Sequence, residues 1–415
     1  MLQALNIRKL ILFLLGFWIS SPISAQQFVR VKGKILVSPN GQELHLKGIG
    51  LGNWLVQEGY MWGLGRDYSA PHEIKDLVRE LIGEDNAEQF WEKYYANYVS
   101  SSDIAFLKSC GFNSVRVPFD YRLLNPDALP GIFAGPGWQA LDDVIRWCKA
   151  NKLYVILDMH CAPGGETGAN IDDSWGYPFL YETPASQERL IRLWTHIAER
   201  YRNEPAVLGY DLMNEPLPHR EFYDRLVPKL EPIYKRVTAA IRKVDKNHII
   251  ILEGPNWDSN FDGFHAPFDS KLVYEFHHYW SDPTVNGIKP FLAFRDKYQV
   301  PIWLGESGEN TNSWVDSFRV TLESNDIGWS FWTYKKIRSP RGVVTIKPPE
   351  GWSKIVAFSQ SSPGVETREA RHDRDSIPPP LAMEVLNGWL SRIKLDSCHV
   401  NGGFLEALGL HAPGK

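Results

Sequence analysis

Eight short apolar runs, rich in β-branched and aromatic residues and mostly separated by longer stretches of helical period, constrain this 415-residue chain more than any other feature. The runs are His45 to Leu51, Ser114 to Phe119, Tyr154 to His160, Leu208 to Asn214, His248 to Glu253, Leu272 to Tyr279, Ile302 to Gly305 and Gly328 to Tyr334. Amphipathic stretches lie between most of them: Ser102 to Cys110, Trp138 to Asn151, Gln187 to Arg202, Arg220 to Val244, Ile288 to Tyr298 and Trp314 to Ser324, with Leu381 to Ile393 last. Strand then helix, repeated eight times, predicts an α/β fold built as one (β/α)8 (TIM) barrel. An open doubly wound sheet is the rival. It usually has fewer strands and often a glycine-rich phosphate turn after the first; here the first run leads into Gly50-Leu-Gly-Asn-Trp54 without a helix start at the offset a dinucleotide needs.

A barrel brings all strand C-termini to one face, where the βα loops build a site. Polar and aromatic residues gather at those ends: Asn53 and Trp54, Arg116, His160, Asn214 and Glu215, Glu253, His277 and Tyr279, Glu306 and Trp332. Two loops on that face are long. Gln57 to Ser101 holds two expected helices, His72 to Ile82 and Asn86 to Tyr98, while Lys335 to Pro379 is rich in Pro, Ser and Lys without strong period. Such insertions either shape substrate access or decorate the periphery.

Glu215 and Glu306 stand at two of these strand ends, in Tyr210 to Pro216 (Tyr-Asp-Leu-Met-Asn-Glu-Pro) and Ile302 to Ser307 (Ile-Trp-Leu-Gly-Glu-Ser). Cleaving a glycosidic bond needs a proton donor for the leaving oxygen and a second carboxylate that attacks or activates water, and two glutamates on one face are suited to that work. A double-displacement pair should lie about 5 Å apart, whereas a separation near 8 Å belongs to direct attack by water.

Residues 1–25 read as a secretory leader: Arg8 and Lys9 precede the apolar run Leu10 to Ile19, and small residues lead to a cleavage point near Ala25. The run is too short for the ~20 residues that span a bilayer, so no membrane anchor is expected and the mature protein should be extracellular or periplasmic. Residues 26–395 are expected to form the catalytic barrel and 396–415 a C-terminal tail. The formal charge is −4, and about −6 without the leader, which carries two cations and no acid. Nucleic acid is therefore not an expected partner. The four cysteines, Cys110, Cys148, Cys161 and Cys398, lack close metal-type spacing, and Cys110 and Cys148, each on an apolar helix, read as buried free thiols.

Several motifs in order match one family. They are Gly111 to Pro118 (Gly-Phe-Asn-Ser-Val-Arg-Val-Pro), Leu157 to His160 (Leu-Asp-Met-His), Met213 to Pro216 (Met-Asn-Glu-Pro), Glu275 to Tyr279 (Glu-Phe-His-His-Tyr), Leu304 to Glu306 (Leu-Gly-Glu) and Trp329 to Lys335 (Trp-Ser-Phe-Trp-Thr-Tyr-Lys). On them the chain resembles glycoside hydrolase family 5, the cellulase-like retaining enzymes, over nearly its whole mature length. Gly50 to Glu58, Asp158 to Gly165 and the Trp-Thr-Tyr-Lys ending look most like the exo-β-1,3-glucanase and β-glucosidase branch. The chain departs from that branch at Asn53, where Gly-Gly-Trp is usual, at Cys161, where a smaller residue is usual, and at Gly165 to Gly168 (Gly-Glu-Thr-Gly), where Ser-Gln-Asn-Gly is usual.

The resemblance implies Glu215 as acid and then base, and Glu306 as nucleophile. It places Arg116 beside the nucleophile, Asn214 on the sugar 2-hydroxyl, and His160, His277, Tyr279 and Trp332 around the sugar; Glu58 would grip a terminal glucose. Plainer readings exist for some of these: a sheet-end salt bridge for Arg116, a turn for Asn214, a satisfied core group for His160. Adjacent strand residues face opposite ways, so His278 should point away from the site. Trp54, Trp62 and Trp175 are further candidates for stacking on sugar, because flat aromatic faces suit the axial C–H faces of glucose.

Three functional readings follow. The first is a secreted retaining β-glucosidase or exo-β-glucanase, with β-1,3 linkage favoured. The second keeps the mechanism on an endo-β-1,4-glucan, a glucosyl lipid or another small glucoside. The third is a non-catalytic carbohydrate-binding barrel, which is expected to lack Glu215 or Glu306, and both are present. The reaction needs neither metal nor organic cofactor.

Overall fold

A computed structural model describes residues 28–65, 68–360 and 377–413. The expected leader lies outside the described residues. Eight parallel strands close into a barrel: β1 Lys47–Gly50, β2 Ser114–Asp120, β3 Tyr154–Cys161, β4 Val207–Asp211, β5 Ile249–Glu253, β6 Leu272–Tyr279, β7 Ile302–Gly308 and β8 Trp329–Phe331. Closure comes from β8, which pairs Trp329 with Lys47 on one side and with Leu304 on the other. Every residue of β2, β4, β5, β7 and β8 is buried, because helices cover the outside and side chains fill the inside.

The inside has two ends of opposite character. At the N-terminal end Ile156, Leu208, Ile249, Ile251, Val273 and Trp303 form an apolar cluster, joined by Leu36 of the hairpin Arg30–Lys32 and Ile35–Val37 and by Val29 just before it. At the C-terminal end the interior is charged, and the site lies there.

Differences from the expected strands have local causes. β4 stops at Asp211 because the chain turns after it, with positive φ at Glu215 and Leu217. β8 ends at Phe331, and Lys335–Ile337 leaves the barrel to pair with Val344–Ile346, which also takes His399–Val400. The second long insertion, read as aperiodic, therefore contains two short strands and the helix Trp352–Gln360. Beyond residue 395, Phe404, Leu405 and Leu408 are buried against the body of the protein.

The first insertion forms the helices Pro71–Ile82 and Glu84–Tyr98. Two expected sugar platforms are corrected here. Trp54 and Trp62 are 1% exposed and serve packing. Trp62 lies 5.4 Å from the Tyr94 ring and 5.3 Å from Trp389, which stacks at 4.5 Å on Trp352. This aromatic cluster ties both insertions to the helix Pro379–Arg392. Trp54 donates its Nε1 hydrogen to the carbonyl of Tyr95 at 2.8 Å. Trp175 is exposed, beside the His72 ring at 4.9 Å, and does not line the cavity described below. All four cysteines are free, and Cys110, Cys148 and Cys161 are buried. No helix among the described residues is long and apolar enough to cross a membrane.

One buried ion pair joins the barrel to its insertions. Lys335 Nζ lies 2.6 Å from Asp103 Oδ1 and donates to the carbonyls of Tyr98 (2.7 Å) and Ile393 (2.8 Å). Removing one partner of such a pair strands the other charge in the interior. Lys335→Met should therefore cost about 3–5 kcal/mol in urea unfolding. A cost below about 1 kcal/mol, the scale of an exposed pair, would contradict this assignment.

Candidate active site

Arg116 is the third residue of fully buried β2 and points up the barrel, where one guanidinium meets five carboxyl groups. Nη1 lies 2.5 Å from Glu306 and 3.1 Å from Asp158; Nη2 lies 2.8 Å from Asp211 and 2.7 Å from Glu253; Nε lies 3.3 Å from Glu275. One positive charge cannot compensate five negative ones out of water, so most of these acids must hold their protons. Burial pushes Asp158 and Asp211 up to about 7, and moves Glu253 and Glu275 well above the ordinary carboxylate range.

Above this floor stand the two glutamates singled out from the sequence. A carboxylate oxygen of Glu215 and one of Glu306 lie within 4.8 Å of each other, together with an imidazole nitrogen of His277. Their partners differ. Glu306 is held by the Arg116 cation and by the Tyr279 hydroxyl, which donates to Oε2 at 2.9 Å. Glu215 faces His277 Nδ1 at 2.8 Å, and its backbone N–H donates to Glu253 at 2.6 Å. Burial keeps His277 well below its ordinary value and therefore neutral, so it gives Glu215 no positive charge. Burial, then the charge of Glu306, raises Glu215 well above the usual range; burial also raises Glu306, but Arg116 opposes it. Glu306 is thus the carboxyl that ionises first and Glu215 the one that keeps a proton. A proton donor and an anion at this spacing can protonate one atom of a bound molecule while the anion attacks a neighbouring one.

The other expected residues surround the pair. His160, its Nδ1 2.9 Å from Asp158, is pressed down to about 4 by burial and lies parallel to Trp332 with ring centres 5.8 Å apart. Asn214 is fully buried, accepting from Arg116 at 3.0 Å with its Nδ2 3.3 Å from His160 Nε2. His278 faces outward against Phe318 at 4.6 Å, as alternation along β6 requires. Trp332 forms one wall and donates to the Tyr60 hydroxyl at 2.9 Å. Space for its indole exists because Gly50 and Gly52 have no side chain: a Cβ there would sit 2.7 and 2.4 Å from ring atoms of Trp332.

These groups open into a cavity of about 640 Å3. Glu58 and Tyr60, from the first insertion, line one side, and Ile171, Trp257 and the exposed Trp280 line others. Lys336 bridges to Glu309 at 2.6 Å and lies over the Tyr60 ring at 4.5 Å. The unusual residues near the cavity are satisfied locally. Asn53 takes φ +64°, a region Asn and Gly tolerate, and accepts from Trp62 Nε1 at 2.8 Å. Cys161 Sγ faces the Ile171 carbonyl, and Glu166 is buried, accepting from the Ala162 N–H at 2.8 Å.

Asp158, Asp211, Asp258 and Glu275 are not among the site residues the sequence motifs point to, and Glu253 stands out there only as a strand end. Period-two alternation was the available signal, since Glu275 precedes His277 and Asp158 precedes His160 by two residues and so shares its face. Glu253, Asp258, Glu275 and His277 also present donor atoms within 4.8 Å of one another, the types a cation would use, but Arg116 already contacts Glu253 and Glu275.

Over residues 79–337 the sequence matches the family described as Cellulase (glycosyl hydrolase family 5), a stretch that takes in seven of the eight barrel strands. A beta-xylosidase from Phanerodontia chrysosporium is 29% identical over 75% of this chain and 71% of its own length. Endoglucanase C from Acetivibrio thermocellus is 25% identical over 60% of this chain and 87% of its own. Glucan 1,3-beta-glucosidase 2 from Schizosaccharomyces pombe is 28% identical over 57% of this chain and 43% of its own.

Glu58 supplies a measurable consequence. Burial, reinforced by Glu306, raises its carboxyl from the ordinary 4.5 to about 8. A raised acid favours the folded state fully below its unfolded value, and that contribution is lost as pH rises through the folded value. Between pH 5 and 8 the wild type should lose stability faster than Glu58→Gln, by up to about 1.4 kcal/mol per pH unit, in denaturant titrations at each pH. Parallel curves would show that Glu58 ionises freely in the folded protein.

Proposed function

The chain belongs to glycosyl hydrolase family 5, and on that premise we propose that it is a retaining β-glucosidase or exo-acting β-glucanase that cleaves by double displacement. The observation that carries the reading is the asymmetry between Glu306, paired with Arg116 and Tyr279, and Glu215, which lies within 4.8 Å of it without a cationic partner. That spacing suits a direct carboxylate attack and leaves little room for an intervening water.

In this mechanism Glu306 attacks the anomeric carbon while Glu215 gives its proton to the departing oxygen. The C–O bond to the leaving group breaks as the ester bond to Glu306 forms. Glu215, now a carboxylate, takes a proton from water, and the resulting hydroxide equivalent displaces Glu306 and restores the starting state. Arg116 and Tyr279 orient the nucleophile and stabilise it again as it leaves. Asn214 and His160 are assigned to the sugar hydroxyls, Trp332 to the sugar face, and His277 to Glu215. The two carboxyls and water suffice, so the reaction requires no cofactor.

Glu58 and Tyr60 on the cavity wall support end-on cleavage, since both come from the insertion that follows the first barrel strand and stand beside Trp332. The names beta-xylosidase and glucan 1,3-beta-glucosidase among the relatives support an end-cleaving enzyme, with β-1,3-glucan as the favoured substrate. The similarity to endoglucanase C favours one second reading, cleavage within a β-1,4-glucan. Residues 1–25 are assigned to export and 26–395 to the catalytic unit.

The test is the product profile of the mature protein on β-1,3-glucan, β-1,4-glucan and an aryl β-glucoside, with Glu306→Gln as blank. Glucose alone from the β-1,3 substrate is the expected result, with Glu215→Gln slowing it about 10²–10⁴-fold, the scale of a lost general acid. Mixed oligosaccharides from the β-1,4 substrate would move the assignment to the second reading. Activity equal to the blank on all three would contradict both.

A further inference from the structure

Beneath His277 lie buried acids that the two-glutamate mechanism does not use. Glu275 Oε1 is 3.3 Å from His277 Nε2, and Asp258 Oδ2 is 4.0 Å from it. Both residues are fully buried, and Glu275 Oε2 and Asp258 Oδ2 have no hydrogen-bond partner among the described residues. The fold gives up a good deal to seat them. A Cβ on Gly305, the residue before Glu306, would lie 1.3 Å from Glu275 Oε1, so β7 is bare at the one point where this carboxyl enters. Asp258 is delivered by three successive non-glycine residues in the left-handed region, Asn256 (φ 59°), Trp257 (60°) and Asp258 (51°). Each is a conformation that costs energy and persists only where the surroundings enforce it.

The hydrogen-bond inventory of His277 decides what these acids can do. A neutral imidazole donates from one nitrogen and accepts at the other. Glu215 Oε1 stands 2.8 Å from Nδ1. If Nδ1 carries the hydrogen, it donates to Oε1 both when Glu215 is an acid with its proton on the other oxygen, facing the cavity, and when Glu215 has become a carboxylate. If Nε2 carries it, the Nδ1 lone pair either draws the acid's proton away from the substrate or opposes the carboxylate. The first tautomer needs a donor beneath Nε2. A carboxylate cannot donate, but a carboxylic acid can.

We propose that Glu275, seated in the slot left by Gly305 and backed by Asp258, is a positioning residue that donates an O–H to His277 Nε2 and so holds His277 in the Nδ1–H tautomer for Glu215. This inference rests on the assignment of Glu215 as acid and base. Its electrostatic setting is consistent. Around Glu275 and His277 stand Asp211 and Glu215 from β4 and its loop, Glu253 and Asp258 from β5 and its loop, Asp158 and His160 from β3, and Tyr279 from β6. Glu306 from β7 and Glu58 after β1 complete the set, against two cations among the described residues, Arg116 from β2 and, at the cavity wall, Lys336. Burial first, and then Asp211 and Asp258, keep Glu275 protonated against the pull of Arg116; burial and neighbouring Asp211 do the same for Asp258.

The test reads the tautomer directly. In ¹⁵N-histidine-labelled resting protein, with the His277 signals assigned by their loss in His277→Gln, hydrogen on Nδ1 and a bare Nε2 is the expected result. Hydrogen on Nε2 would overturn the proposal, as would a metal ion bound in stoichiometric amount between the same oxygens in the purified protein. No turnover enters this measurement, so its outcome is separate from that of the reaction assignment. A kinetic arm uses two variants. Glu275→Gln keeps a donor and a neutral side chain, and its pH–rate limbs should coincide with those of the wild type; a downward shift of the Glu215 limb by about one unit would mean that Glu275 carries a charge, and would overturn the proposal. Glu275→Met keeps the volume without a donor and should lower kcat about tenfold, the scale of one hydrogen bond, with KM little changed. Wild-type kcat in that variant, folded, would overturn it as well.

Discussion

One guanidinium, buried at the top of the barrel, sets the terms for everything around it. Arg116 is within 3.3 Å of carboxyl oxygens from five different strands or strand ends, and no other cation reaches that floor among the described residues. Bringing a charge out of water costs several kcal/mol unless it is paired, and five acids competing for one cation cannot all be ionised. The outcome is a graded set. Glu306, with Arg116 at 2.5 Å and a tyrosine hydroxyl on its other oxygen, is the best placed to carry the negative charge. Glu215, one step farther from the cation and beside a neutral histidine, keeps its proton. Two chemically identical side chains thus differ in how readily they ionise because of their surroundings.

Space is rationed as strictly as charge. Gly50 and Gly52 leave room for the Trp332 indole, and Gly305 leaves room for the Glu275 carboxyl, so two of the family-like stretches carry glycine because a neighbouring side chain needs the volume. The lower barrel is filled instead by apolar side chains joined by those of an N-terminal hairpin. The strained backbone at residues 256–258 is held locally, with the Asn256 N–H donating to the Leu217 carbonyl at 2.9 Å and the Gly254 N–H to Asp258 Oδ1 at 2.5 Å.

The eight apolar runs were sufficient to find all eight barrel strands, because parallel strands buried on both faces leave a near-continuous apolar signature. The residues expected around Glu215 and Glu306 are brought together for a related reason: strand C-termini in a barrel converge. Ordering among tryptophans was not legible. Trp54 and Trp62 follow the polar turn at Asn53, yet the two helices of the insertion fold back over them and bury both. The strands at Lys335–Ile337 and Val344–Ile346 are three residues each, too short for alternation to declare itself. The buried acids Asp211 and Glu275 are not legible because an acidic residue in an apolar run says nothing of its partner, and Arg116, which contacts both, is more than ninety residues from each in the chain.

Double displacement requires Glu306 to become covalently bonded to the sugar. A 2-deoxy-2-fluoro-β-glucoside with a strongly activated leaving group tests it most directly, since fluorine at C2 slows both steps while the good leaving group keeps the first one accessible. Proteolysis and mass measurement should find one fluoroglucosyl unit on the peptide containing Glu306, accumulating as activity is lost. An unmodified Glu306 in inactivated protein, or the label on Glu215 instead, would contradict the account.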